Sequence, residues 1–196
     1  MIIYFDTETS GLHPGEICQL SYIVEDKDSV RAENLFFNVK NVEYSAYLVH
    51  GFSVEKLKVL SGGKTFKDYI DKIEADFARA DVVVAHNYSF DAAFMRKEFE
   101  RVGKSYCVKK EFCSMKKATP ICKLKRTSSP AYKYPKLSEF CAHFGVDDDY
   151  VKLVCQKLFG GASSFHDARF DTTAMFLAVR QAIKNSQEFS CLKEFI

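Results

Sequence analysis

The sequence predicts a mixed α/β fold. Two observations carry the expectation: apolar segments joined by short turns open the chain, and alternating strand-like and helix-like segments follow. Residues 2–5 form a first apolar run and 17–24 a second, with 30–39 a third after the polar turn 25–29. Successive strands with such short connections form an antiparallel meander. The period then changes. Ser53 is placed to cap a short helix through Leu57, which the Gly62-Gly63 pair ends, and Phe66, Ile70, Ile73 and Phe77 recur at helical spacing within 65–80. Val82, Val83, Val84 and Ala85 have no polar face, as an inner strand covered on both sides requires. Asn87 is placed to cap a helix over 88–102 that Gly103 stops. Helices are also expected over 136–144 and 170–184, and Asp147-Asp148-Asp149 should cap a short one reaching Leu158.

With 196 residues, 47% hydrophobic and 28% charged, the chain is expected to be one domain over 1–185 with a C-terminal tail over 186–196. The tail serves either a partner or the domain's own surface. Seven cysteines without a C-x-x-C pair fit neither a disulfide framework nor a zinc ribbon. No apolar run is long enough for a bilayer, and the first residues leave no room for a signal core, so a cytoplasmic protein without a membrane partner is expected. A formal charge of +2 does not announce a nucleic-acid binder. Its distribution is uneven, because between Lys104 and Lys136 ten basic residues face one acid, Glu111. That stretch reads either as a wall tracking a phosphate backbone or as a solvated loop.

Asp6 and Glu8 lie two apart at the end of the first strand, so the pleat points both carboxylates to one side. Alone, such a pair is better explained by an exposed strand end. Asp91 falls in the first turn of the helix after the inner strand, where the helix dipole favours an acid and where open α/β sheets place ligands. Asp167 is placed to cap the last helix, with His166 in the entering loop and Asp171 in the first turn. Hard divalent ions take oxygen ligands, and an imidazole accepts a proton from water near neutrality.

The segments Asp6-Thr7-Glu8-Thr9-Ser10-Gly11-Leu12, Val84-Ala85-His86-Asn87-Tyr88-Ser89-Phe90-Asp91 and His166-Asp167-Ala168-Arg169-Phe170-Asp171 resemble, in order, the three motifs of the DEDDh (DnaQ-like) 3′→5′ exonuclease superfamily. The family includes proofreading epsilon subunits, ribonuclease T and oligoribonuclease. The element Val49-His50-Gly51-Phe52 adds to a likeness that spans nearly the whole chain.

The resemblance implies a ribonuclease H-like five-stranded sheet, a meander followed by parallel strands, flanked by helices. It also implies two Mg²⁺ ions, replaceable by Mn²⁺. Asp6, Glu8 and Asp171 would hold one, and Asp6 and Asp91 the other, with His166 as general base and a nucleoside 5′-monophosphate as product. Thr9, Leu12, His50, Asn87 and Phe94 match positions that hold the terminal nucleotide, although Phe90, Phe94 and Phe99 also fit the core face of their helix. The expected partners are single-stranded 3′ ends, DNA ahead of RNA, together with a DNA polymerase or a second copy of the chain. The interval from Asp147 to Phe165 is longer than simple proofreaders show, and RNA trimming stays the alternative. A His-Asp phosphohydrolase would need more histidines at ligand spacing than the five present, and a catalytically silent binding module would not need all five signature residues.

Overall fold

A computed structural model describes residues 1–127, 130–161 and 166–196. Ser128 and Ser129 of the proline- and serine-rich loop lie outside the described residues, as does Phe165 ahead of the third motif. Strand β1 (Ile2–Thr9) is the middle of a five-stranded sheet. It pairs antiparallel with β2 (Ile17–Glu25), which pairs antiparallel with β3 (Val30–Phe36). On its other side β1 runs parallel to β4 (Val82–Ala85), and β4 parallel to β5 (Glu111–Cys113), giving the order β3-β2-β1-β4-β5. The meander and the buried inner strand follow the hydrophobic pattern of the sequence.

The pleat of β1 divides the core into two layers. Ile2 and Tyr4 point to the layer built on α8 (Ala168–Asn185), whose Phe170, Ala174, Met175, Ala178 and Val179 are buried. The Tyr4 ring meets Phe176 edge-on at 5.1 Å. Ile3 and Phe5 point to the opposite layer, where α3 (Ile70–Arg79) and α4 (Tyr88–Arg101) bring Phe77, Phe94 and Phe99. Each such ring contributes about 1.5–3 kcal/mol by leaving water. α8 is covered in turn by α6 (Leu137–His143) and α7 (Asp148–Phe159), and α7 also reaches β3. The segment expected as a tail packs inward as a 3₁₀ helix, Gln187–Phe195, with Phe189 and Leu192 fully buried.

Several boundaries differ from expectation. β1 continues through the acidic pair to Thr9, because Asp6 and Glu8 keep their ladder partners Ser21 and Gln19. The segment 65–80 is divided into a 3₁₀ turn, Phe66–Tyr69, and α3. Three further elements were not expected: α1 (Tyr44–His50), β5 and α5 (Ser114–Cys122). The remaining short helix, α2 (Val54–Leu60), carries the Ser53 cap, whose hydroxyl accepts from Lys56 N–H at 3.2 Å. Among the described residues no helix is long and apolar enough to cross a membrane.

Candidate active site

Asp6 and Glu8 share the pleat face of Ile2 and Tyr4, so both carboxylates project toward the start of α8. There Asp167 caps the helix, accepting from Arg169 N–H at 3.0 Å, and this places Asp171 in the first turn. One carboxylate oxygen from each of Asp6, Glu8 and Asp171 lies within 4.8 Å of the others. Asp171 Oδ1 is buried without a hydrogen-bond partner among the described residues. Asp91 reaches the same strand from the other layer: Thr7, between the two acids, donates from Oγ1 to Asp91 Oδ1 at 2.8 Å. Asp91 is outside the mutual cluster of three but adds its field to it.

Like charges gathered in a poorly solvated place resist ionisation. Burial raises the Asp6 carboxyl well above the usual range, reinforced by Asp91, Asp171 and Glu8. Glu8 is pushed to about 8, by burial first and then by Asp171, Asp167 and Asp91. Burial brings Asp91 to about 7 against the opposing hydrogen bond from Thr7. Asp171 also rises to about 7 through burial, opposed by a backbone hydrogen bond from His166. Glu8, Asp91 and Asp171 are thus shifted into the neutral range and Asp6 in the same direction, and a cation among them would favour their ionised forms.

Two cavities flank the carboxylates. An apolar one of about 310 Å³ is lined by Glu8, Leu12, Ala46, Val49, His50 and Phe90. A more polar one of about 530 Å³ is lined by Asp6, Asp171, His86, Lys136, Ser138 and His166. His166 is exposed there, with a positive φ of 62° that holds the loop in a tight turn ahead of Asp167.

The residues expected to hold a nucleotide are placed unequally. Leu12 is 72% exposed at the rim of the apolar cavity. Thr9 lines the same cavity, its Oγ1 donating to Gly11 C=O at 2.8 Å. His50 lines it too, but both ring nitrogens are engaged: Nδ1 accepts from Phe52 N–H at 3.0 Å, and Nε2 donates to Thr9 C=O at 3.1 Å. Burial lowers the His50 pKa, consistent with a neutral ring stacked on Phe52. Asn87 takes the N-cap position of α4 in left-handed geometry, φ 77°, and its side chain makes no cap hydrogen bond, contrary to the capping expected of it. Phe94 is a correction. It is fully buried in the layer beneath α4 and packed against Phe90, so its ring offers no face to a base; Phe90, one turn earlier, lines the cavity instead.

Other residues that build the site escaped sequence reasoning. Gln19 of β2 is fully buried and grips the start of α8, donating to Asp167 Oδ1 at 3.0 Å and accepting from Ala168 N–H at 3.2 Å. Asn34 of β3 holds Gln19 and Ser21 at 2.8 and 2.6 Å. Arg169 pairs with Asp167 at 2.5 Å. His86, at the end of β4, joins Ser114 Oγ and Pro135 C=O, each at 3.0 Å, and burial lowers its pKa to about 4. These partners lie up to 149 residues apart, which no local pattern signals.

A family model described as Exonuclease (RNase_T) matches residues 3–151, so its match ends before the third motif segment. The DNA polymerase III subunit epsilon of Buchnera aphidicola is similar, 25% identical over 161 residues. The alignment covers 77% of this chain and 64% of that relative's length.

Proposed function

The chain belongs to the exonuclease family, and from that premise we propose that it removes nucleotides one at a time from the 3′ ends of DNA, releasing nucleoside 5′-monophosphates. The observation that carries the reading is the convergence of Asp6, Glu8 and Asp171 at the mouth of two cavities. The donor set fits a hard divalent cation: every donor is an oxygen, and Asp171 Oδ1 is buried without a partner among the described residues. On this reading Asp6, Glu8 and Asp171 hold one Mg²⁺, Asp6 and Asp91 hold a second, and Mn²⁺ substitutes for either. Bound ions would supply charge stabilisation for the attacking and leaving oxygens of an in-line displacement.

The chain's own groups do the rest. His166, exposed beside Asp6 and Asp171, takes the proton from the attacking water. Its backbone hydrogen bond to Asp171 keeps base and carboxylate in register. Leu12, Val49 and Phe90 offer the terminal base apolar surface that accepts any base, which suits an enzyme that removes any nucleotide in turn. Thr7 orients Asp91 from the opposite face of the strand. DNA as substrate and a DNA polymerase as partner rest on the similarity to a polymerase subunit.

The test uses 5′-labelled single-stranded DNA and RNA oligonucleotides with Mg²⁺, Mn²⁺ or chelator. The expected result is a stepwise ladder from the 3′ end with either ion, faster on DNA, and none with chelator. Internal fragments, or activity indifferent to chelator, would contradict the proposal, and a faster ladder on RNA would overturn the choice of DNA.

A further inference from the structure

The cavities share no lining residue, each takes a different part of the acidic cluster, and they differ in chemistry. The apolar one adjoins Glu8, and the polar one is bounded by Asp6 and Asp171. A 3′-terminal nucleoside brings a base and no further phosphate, so the apolar side suits it. With the last phosphodiester at the carboxylates, the rest of the strand must leave across the polar side. Resting on the proposed exonuclease reading, we infer that the polar cavity is a subsite for the penultimate nucleotide and that Lys136 binds the phosphate on that nucleotide's 5′ side.

Four observations support this. Lys136 lines the cavity and is exposed, and among the described residues its ammonium forms no salt bridge, although it acts electrostatically on Glu139. The neighbouring acid, Glu139, is already paired with Lys133 at 2.5 Å. Much of the nearby basic stretch is otherwise occupied: Lys104 pairs with Asp71 and Glu74, Lys109 with Asp81, and Lys110 and Lys117 lie over aromatic rings. Finally, the backbone around Lys136 is pinned on both sides. His86 Nε2 holds Pro135 C=O at 3.0 Å, and Lys136 N–H donates to Glu139 at 2.8 Å. A cation on fixed backbone, lining the same cavity as the reacting carboxylates and with the neighbouring Glu139 already engaged by Lys133, is placed for a phosphate.

The experiment pairs a charge removed from the protein with a charge removed from the strand. An oligothymidylate carrying a neutral methylphosphonate at the second linkage from its 3′ end keeps the scissile phosphodiester but loses the charge assigned to Lys136. In the unaltered protein this replacement should raise KM about tenfold with little change in kcat. In Lys136→Gln it should raise KM less than twofold, and Lys136→Arg should restore sensitivity. The affinities of the two strands, read by fluorescence anisotropy in chelator without turnover, should show the same contrast. The salt dependence of affinity for the unmodified strand should flatten by about 0.7 in the Lys136→Gln protein. Equal sensitivity to the neutral linkage in both proteins would overturn the inference. Absence of hydrolysis in every arm would sink the exonuclease reading instead, and the anisotropy contrast would still decide for or against Lys136.

Discussion

Replacing Asp171 by Asn should stabilise the metal-free protein at alkaline pH, an outcome opposite to that of most substitutions at a buried hydrogen-bonding position. The Asp171 carboxyl ionises near 7 in the fold against 3.8 for the free group. At about 1.4 kcal/mol per tenfold change in acidity, holding it ionised at pH 8 costs the fold roughly 4 kcal/mol. Because the amide gives up the charge-assisted hydrogen bond that the His166 backbone makes to the Asp171 carboxylate, the net gain should be about 2–4 kcal/mol. For a chain of this size that is an increase in Tm of roughly 5–15 °C.

The pH window follows from the direction of the shifts. Unfolded carboxylates ionise near pH 4, whereas Asp91 and Asp171 ionise near 7 and Glu8 near 8 in the fold. Between these limits the folded state binds more protons, so this cluster's contribution to stability falls as pH rises. His86 acts in the opposite sense: its folded pKa of about 4 makes stability rise with pH up to the ordinary histidine range. That contribution is common to both proteins and cancels in their difference. The assay is thermal unfolding of both proteins in chelator at pH 5 and pH 8, repeated with millimolar Mg²⁺. The Tm difference should be less than half as large at pH 5 as at pH 8, and Mg²⁺ should stabilise the unaltered protein more than the variant. A difference that does not grow with pH would refute the picture of crowded, desolvated carboxylates.

Further substitutions separate the roles assigned above. His166→Ala should slow turnover by about 10²–10⁴-fold while leaving Mn²⁺ binding near normal, since the imidazole acts on water and not on the ion; calorimetric titration with Mn²⁺ checks the second half. Gln19→Leu removes both bonds to the start of α8 and should cost about 1–3 kcal/mol in urea unfolding, with a loss of Mg²⁺ affinity as Asp171 loses its fixed position. Leu12→Ala should raise KM for a strand severalfold with kcat little changed, because it removes apolar contact with the terminal base and no reacting group.

What was legible in the sequence is what local pattern encodes. Four consecutive apolar residues, 82–85, announced the inner strand, and Asp167 ahead of an apolar helix announced its cap and thereby the place of Asp171. Period-2 geometry placed Asp6 and Glu8 on one face. α1 was hidden because Tyr44, Leu48 and Val49 are exposed, so no buried stripe marks it as a helix. α5 was hidden by Pro120 and by having only Ser114 and Ala118 buried. The three-residue β5 is too short to show a period. Phe90 and Phe94 sit one turn apart, and spacing could not say which ring would face the cavity; packing sent Phe94 inward. The clamp of Gln19, Asn34 and Asp167 joins three distant segments and exists only after they fold together.

Crystals of the protein grown with Mn²⁺ and a nucleoside 5′-monophosphate, measured at the manganese absorption edge, address the reading of the acidic cluster most directly. Two anomalous peaks bridged by Asp6 should appear, one also contacting Glu8 and Asp171 and the other on the side of Asp91, with the nucleotide's base beside Leu12. Data of the same quality with no manganese within bonding distance of Asp6, Glu8 or Asp171 would contradict it.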